Sequence, residues 1–124
     1  MKRSLSAKGF ALTTSIRTAV REKITARIEP LLKRHAADAV RCEVDLLLET
    51  KHHKKGEVWR ADVSLALPGT VLRATEPGST IFEAIDAVAD EIVRELKKTK
   101  EKAKTLETRG ARSIKKRVRK GSLA

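Results

Sequence analysis

The side chains of this sequence that are best placed for chemistry are lysines and arginines at helical spacing. Two sets each share one flank of a predicted helix: Lys23, Arg27 and Arg34 at offsets of four and seven, and Arg94, Lys98 and Lys102 at offsets of four. Arg21, Lys97 and Lys100 lie close to these rows in the sequence. Cationic rows on neighbouring helices contact phosphates, and the release of counterions makes such binding salt-dependent. These nine residues are therefore the candidate RNA-binding set.

Catalytic chemistry is not favoured by the remaining reactive residues. His52 and His53 form the only histidine pair, and they lie in a predicted hairpin loop with no cysteine nearby in the sequence. Cys42 is the only cysteine and falls on a predicted buried face, where packing is its ordinary role. No nucleophile motif and no phosphate-binding glycine-rich loop is present. We predict no enzyme, no catalytic residue, no metal site and no cofactor.

The positive charge is concentrated at one end of the chain. The 124 residues carry a formal net charge of +12, of which residues 1–96 contribute +2 and residues 97–124 contribute +10. This asymmetry indicates a polyanionic partner, with nucleic acid first and an anionic membrane second, although a solubilising tail would have the same composition. We predict an α/β domain at residues 1–104 and a flexible basic tail at residues 105–124.

Aromatic residues are too few for recognition by base stacking. The sequence has no tyrosine, two phenylalanines and one tryptophan. Proteins that read single strands present exposed rings on which bases stack. Recognition by shape and by the charge of the RNA backbone is therefore predicted.

Hydrophobic periodicity supplies the elements that position the cations. A short strand at residues 4–8 precedes a helix that Thr13 caps, whose apolar stripe runs through Ile16, Val20, Ile24, Ile28 and Leu31. Pro30 predicts a kink or a terminal turn in this helix. Residues 39–49, the segment from Trp59 to Leu67, and residues 71–76 alternate with a period of two, as strands do. Ser79 or Thr80 caps a second helix, with its apolar stripe at Ile81, Ile85, Val88, Ile92 and Leu96.

The order of these elements predicts an α+β fold with the sequence β-α-β-β-β-α. Two helices cover one face of a four-stranded, mainly antiparallel sheet, and the other face is polar. The side chains of Cys42 and Trp59 are expected on the covered face. No apolar run approaches the roughly 20 residues that span a bilayer, and the start of the chain lacks the apolar core of a signal peptide. A cytoplasmic protein is the resulting expectation.

Two stretches and several single residues of the two helices form one pattern. The stretches are Leu67–Ala74 and Ile81–Asp86, and the residues are Asp90, Arg94, Leu96, Lys98 and Lys100 in the second helix and Thr13, Ile16, Arg17, Val20, Lys23 and Ile24 in the first. This pattern resembles the ribosome hibernation promoting factors, which are also called ribosome-associated inhibitors or sigma-54 modulation proteins. It covers roughly residues 4–102. Glu91 stands where members often have lysine. Phe82 stands where members usually have tyrosine, and its ring is expected to face the core.

The resemblance implies a fold similar to double-stranded-RNA-binding domains and a ribosomal partner. Members bind the small ribosomal subunit, with its 16S rRNA, between head and body, where they block the mRNA and tRNA sites and inhibit translation under stress or in stationary phase. We expect the short form, because the sequence ends before the position of the C-terminal domain of the long form. We expect a monomer off the ribosome, with neither a membrane nor a small-molecule substrate as a partner.

Two other functions remain open at this point. One is a constitutive structural or assembly RNA-binding component of ribosomes with the same fold. The other is a DNA-binding regulator, which is disfavoured because no helix carries a set of base-reading side chains.

Overall fold

A computed structural model of the chain describes residues 1–33, 35–50 and 57–123. Four strands form one sheet in the order β1-β2-β3-β4: β1 (Lys2–Lys8), β2 (Arg41–Thr50), β3 (Glu57–Leu67) and β4 (Thr70–Gly78). β1 pairs in parallel with β2, whereas β2 with β3 and β3 with β4 are antiparallel. The predicted α+β class, strand number and helix order are confirmed. The predicted loop at residues 51–56, with its histidine pair, lies outside the described residues.

The first helical region, residues 14–32, is built from four consecutive segments. They are α1 (Thr14–Val20), a π-helical turn (Arg21–Thr25), α2 (Ala26–Ile28) and a 3-10 turn (Glu29–Leu32). Thr13 is the N-cap, as predicted, and its hydroxyl accepts a hydrogen bond from the Ile16 backbone N–H at 3.2 Å. The 3-10 turn begins beside Pro30, which confirms the terminal turn expected from that proline.

The π turn accounts for the four-residue spacing of the apolar stripe. Four residues rotate an α-helix by about 400°, so side chains at strict intervals of four drift around its axis. A π turn holds more residues per turn and reduces this drift. Val20, Ile24 and Ile28 accordingly remain buried on one side across the turn. The sequence predicted the stripe but not the π turn that aligns it.

The second helix, α3 (Ile81–Leu123), begins after the N-cap residue Thr80. The Thr80 hydroxyl accepts a hydrogen bond from the Glu83 backbone N–H at 3.1 Å, and the Ser79 hydroxyl donates to the Glu83 carboxylate. The helical backbone continues to Leu123, past the predicted domain end at residue 104. That boundary, and the flexibility of residues 105–124, stay predictions. No helix within the described residues is long and apolar enough to cross a membrane.

The core lies between the sheet and the two helical regions. Its members are buried apolar side chains from the inward positions of the strands and from both helical stripes, among them Cys42, Leu46, Leu65, Ile85 and Ile92. Trp59 is half-buried against this core, and its ring meets that of Phe10 edge to face with centroids 5.0 Å apart. The inward placement of Cys42 follows the predicted strand pattern.

Two details of the prediction were wrong. The Phe82 side chain was expected to face the core, but it is 45% exposed because the buried stripe of α3 passes through Ile81 and Ile85 on either side of it. Pro77 and Gly78 were expected to close the last strand, but they pair with Arg60 and Trp59 within β4. Proline is tolerated there because β4 is an edge strand with one unpaired side.

Glycine is required at the β3–β4 turn. Pro68 and Gly69 form the predicted turn, and Gly69 has a φ of +81°. A positive φ at this turn position is the conformation that glycine adopts without steric penalty. This short turn fixes the antiparallel register of β4 against β3, and β4 in turn supports α3.

Candidate RNA-binding surface

The helical regions lie side by side on one face of the sheet, as the sequence predicted. Helix α3 packs against β3 and β4, and the segments of the first helical region contact α3. Side chains of the first helical region also meet those of β1 and β2 around a cleft. Each helical region therefore has one flank at a helix–helix seam, and the first has its other flank toward the β1 edge.

The seam between the helices is crossed by two ion pairs. Lys23 Nζ lies 3.7 Å from Asp86 Oδ1, and Arg27 Nη1 donates a hydrogen bond of 2.7 Å to Asp90 Oδ1. Each helical region contributes two residues four positions apart, so the two ion pairs lie about one helical turn from each other along the seam. All four side chains are more than 40% exposed. The structure thus brings the predicted cations Lys23 and Arg27 together with two carboxylates that the prediction did not include.

A second cationic row continues along α3 beyond the seam. Arg94 pairs with Glu91 at 3.0 Å, and Lys98 pairs with Glu95 at 3.7 Å, each three residues apart. The Arg94 and Lys98 side chains are 63% and 67% exposed. Further along the helix Lys97, Lys100 and Lys102 are exposed, and none forms an ion pair within the part of the chain that the structure describes.

These ion pairs are compatible with phosphate binding. Exposed pairs contribute only about 0–1 kcal/mol each, because water and salt screen them. A lysine or arginine can therefore exchange a carboxylate for a phosphate oxygen with little loss of stability. The α3 cation row is defined as Arg94, Lys98 and Lys102, which lie at four-residue spacing. Its charge is less compensated by carboxylates than that of Lys23 and Arg27, because Lys102 forms no ion pair within the described residues.

Arg21 does not join this surface in the structure. Arg21 lines the cleft beside β1, on the opposite flank of the first helical region from Lys23 and Arg27. Its sequence position close to Lys23 suggested a shared surface, but residues two positions apart on a helix point about 200° apart. Arg34 lies outside the described residues.

The aromatic side chains offer one exposed ring rather than none. Phe82 is exposed at the start of α3, whereas Phe10 and Trp59 are half-buried against each other. One isolated ring does not make a platform for successive bases. Burial raises the pKa of the Cys42 thiol to about 11, so it is protonated and not nucleophilic at neutral pH. No cluster of metal-ligating side chains occurs among the residues described.

The chain is similar to proteins of one family in sequence and in fold. Residues 4–104 match the family model described as sigma 54 modulation protein / S30EA ribosomal protein. A protein named ribosome hibernation promotion factor from Picosynechococcus sp. is 31% identical over 102 residues, which are 82% of this chain and 50% of the relative. The chain thus spans about half the length of that relative.

Two solved structures share the fold. The N-terminal domain of Protein Y from Thermus thermophilus superposes with a TM-score of 0.62 at 24% identity, covering 80% of this chain and 99% of that domain. A ribosomal subunit interface protein from Coxiella burnetii gives 0.61 at 14% identity, covering 82% and 99%. The resemblance found in the two helices and the β3–β4 turn is confirmed by the family model that matches residues 4–104 and by the relative that is 31% identical: the chain belongs to the sigma 54 modulation protein / S30EA ribosomal protein family.

Proposed function

We propose that this protein is a ribosome hibernation factor. In this proposal it binds the 16S rRNA of the small ribosomal subunit between head and body, blocks the mRNA and tRNA sites, and inhibits translation under stress or in stationary phase. It acts in the cytoplasm, catalyses no reaction and is a monomer off the ribosome. The observation that carries the proposal is the family match, which spans residues 4–104.

The charge arrangement supports an RNA partner. Arg94 and Lys98 are largely exposed, and Lys23 and Arg27 lie across the seam on the neighbouring helical region. Two adjacent helices that present cations at one-turn intervals can follow a phosphate backbone, which carries affinity without reading base sequence. We assign phosphate contact to these four residues and to Lys97, Lys100 and Lys102.

Sedimentation of cell extracts tests the hibernation role. Extracts from growing and starved cells are separated on sucrose gradients, and the protein is quantified per ribosome in each. A hibernation factor is abundant on ribosomes of starved cells and scarce on those of growing cells. Equal stoichiometry in the two states would instead identify a constitutive ribosomal component, the alternative that the sequence left open.

A further inference from the structure

A cleft beside β1 has no role in the proposed RNA surface. It lies between β1, β2 and the first helical region, on the flank away from α3, and it is an open cleft with a volume of about 360 Å³. Small-molecule sites in proteins occupy about 300–1,000 Å³. The cleft is therefore large enough for a ligand the size of a nucleotide.

Three arginines line this cleft, and no carboxylate does. Arg3 comes from the edge strand, and Arg17 and Arg21 come from successive turns of the first helical region. None of the three forms an ion pair within the described residues, whereas Lys23 and Arg27 on the opposite flank are both paired. A concave, low-dielectric surface of one charge sign focuses the field and attracts the opposite charge. The cleft is thus suited to a compact polyanion.

The walls between the arginines are apolar and well packed. Val20 and Val44 are buried, and Leu5 is partly buried against the core. Thr25, also in the lining, is a buried polar residue. Cys42 adds no opposing charge, because burial keeps its thiol protonated at neutral pH. A ligand that joins phosphates to an apolar ring would satisfy both parts of this lining.

The position of the cleft favours a small ligand over an RNA backbone. Arg17 and Arg21 are separated from Lys23 and Arg27 by the helical region that carries them, so one backbone lying along the seam does not reach both sets. Guanidinium groups bind phosphate through paired N–H donors, and several of them converging on a cavity select a terminal phosphate group. The π turn begins at Arg21 and extends to Thr25, and such turns are frequent at functional sites.

We propose that this arginine cleft binds the phosphate end of a nucleoside di- or triphosphate on the free protein, with the base or sugar against the apolar wall. The proposal does not depend on ribosome binding. It adds a small-molecule ligand to a chain for which only a macromolecular partner was predicted.

Calorimetric titration of the 124-residue chain tests the proposal, with adenosine triphosphate and inorganic pyrophosphate as probes. Both should bind saturably at one site, the nucleotide more tightly because pyrophosphate leaves the apolar wall uncovered. Arg21→Ala should lower nucleotide affinity about tenfold or more, because it removes charge-assisted hydrogen bonds to the phosphate. Arg73→Ala is the matched control, because it removes the same charge from an exposed position on β4.

The nucleotide affinities of the wild type and the two variants decide whether the cleft is the binding site. A loss of nucleotide affinity in Arg21→Ala but not in Arg73→Ala, with the thermal unfolding temperature unchanged, supports nucleotide binding in the cleft. Equal losses in Arg21→Ala and Arg73→Ala would show that the probes respond only to net charge, and would overturn it. No saturable binding to the wild type would also overturn it. If nucleotide does not bind but Arg21→Ala weakens ribosome binding, the cleft is part of the RNA surface and the proposal is wrong.

Discussion

Removal of charge from the α3 cation row should reduce the salt dependence of ribosome binding by a calculable amount. The double variant Arg94→Gln and Lys98→Gln removes two largely exposed cations. Each phosphate contact contributes about 0.9 to the slope of log affinity against log salt. If both residues contact phosphate, the slope should become shallower by about 1.8, and the affinity should fall most at low salt.

The same substitutions should leave the fold intact. Each side chain has one exposed ion pair with a glutamate three residues earlier, and such pairs contribute about 0.2–1 kcal/mol. The combined loss of at most about 2 kcal/mol is small beside the 5–15 kcal/mol of a typical domain. Urea unfolding of the variant should therefore remain cooperative, with a slightly lower midpoint.

The assay is binding of the labelled protein to purified small subunits over a range of salt concentrations. Arg41→Gln with Arg73→Gln is the matched control, because it removes two exposed cations from the face of the sheet that the helices do not cover. The reasoning predicts a shallower slope for the α3 variant and little change for the control. An equal change in both would show that only net charge matters, and an unchanged slope in the α3 variant would place the contact surface elsewhere.

Three further predictions concern the tail, the core and the buried thiol. Deletion of residues 106–124 should lower the ribosome affinity and the slope of log affinity against log salt, while rRNA footprinting shows the same protected site. If the truncated protein protects a different rRNA site, the tail is the recognition element. Ile85→Ala should lower the free energy of unfolding by about 2–5 kcal/mol, because Ile85 is fully buried. Phe82→Ala should lower it by about 1 kcal/mol or less, because Phe82 is largely exposed. Urea titrations that give similar losses for the two variants would contradict the exposure of Phe82. Burial raises the pKa of Cys42 from 9.0 to about 11, so the folded state holds the thiol proton more tightly than the unfolded state does. The contribution of this thiol to the free energy of unfolding is therefore fully present below pH 9 and should be lost progressively between about pH 9 and 11. Cys42→Ala should remove this part of the pH dependence, and an unchanged profile would contradict it.

The repeating features of the fold could be predicted from the sequence. Apolar stripes at helical spacing and alternation with a period of two located both helical regions and all four strands. Local hydrogen-bonding chemistry identified Thr13 as one cap and narrowed the other to Ser79 or Thr80, of which the structure shows Thr80. These signals are local, because a helix face or a cap is determined by residues within a few positions of one another.

The features that were missed depend on how elements face each other. Arg27 was predicted to contact phosphate, and the prediction did not include its ion-pair partner Asp90, which lies on another helix. Asp86 and Asp90 lie four positions apart, as Lys23 and Arg27 do. This matching spacing of opposite charges was the sequence signal from which the two ion pairs could have been predicted. Arg21 was grouped with Lys23 by sequence proximity, and only packing on the sheet placed it beside β1.

Binding to the small ribosomal subunit is tested most directly by co-sedimentation of the purified protein with separated subunits. We expect one copy to pellet with each small subunit and none with the large subunit, and we expect the bound protein to prevent the small subunit from binding mRNA. Equal recovery with both subunits would contradict the proposed partner, and stoichiometric binding that leaves mRNA binding unchanged would contradict the proposed block of the mRNA site.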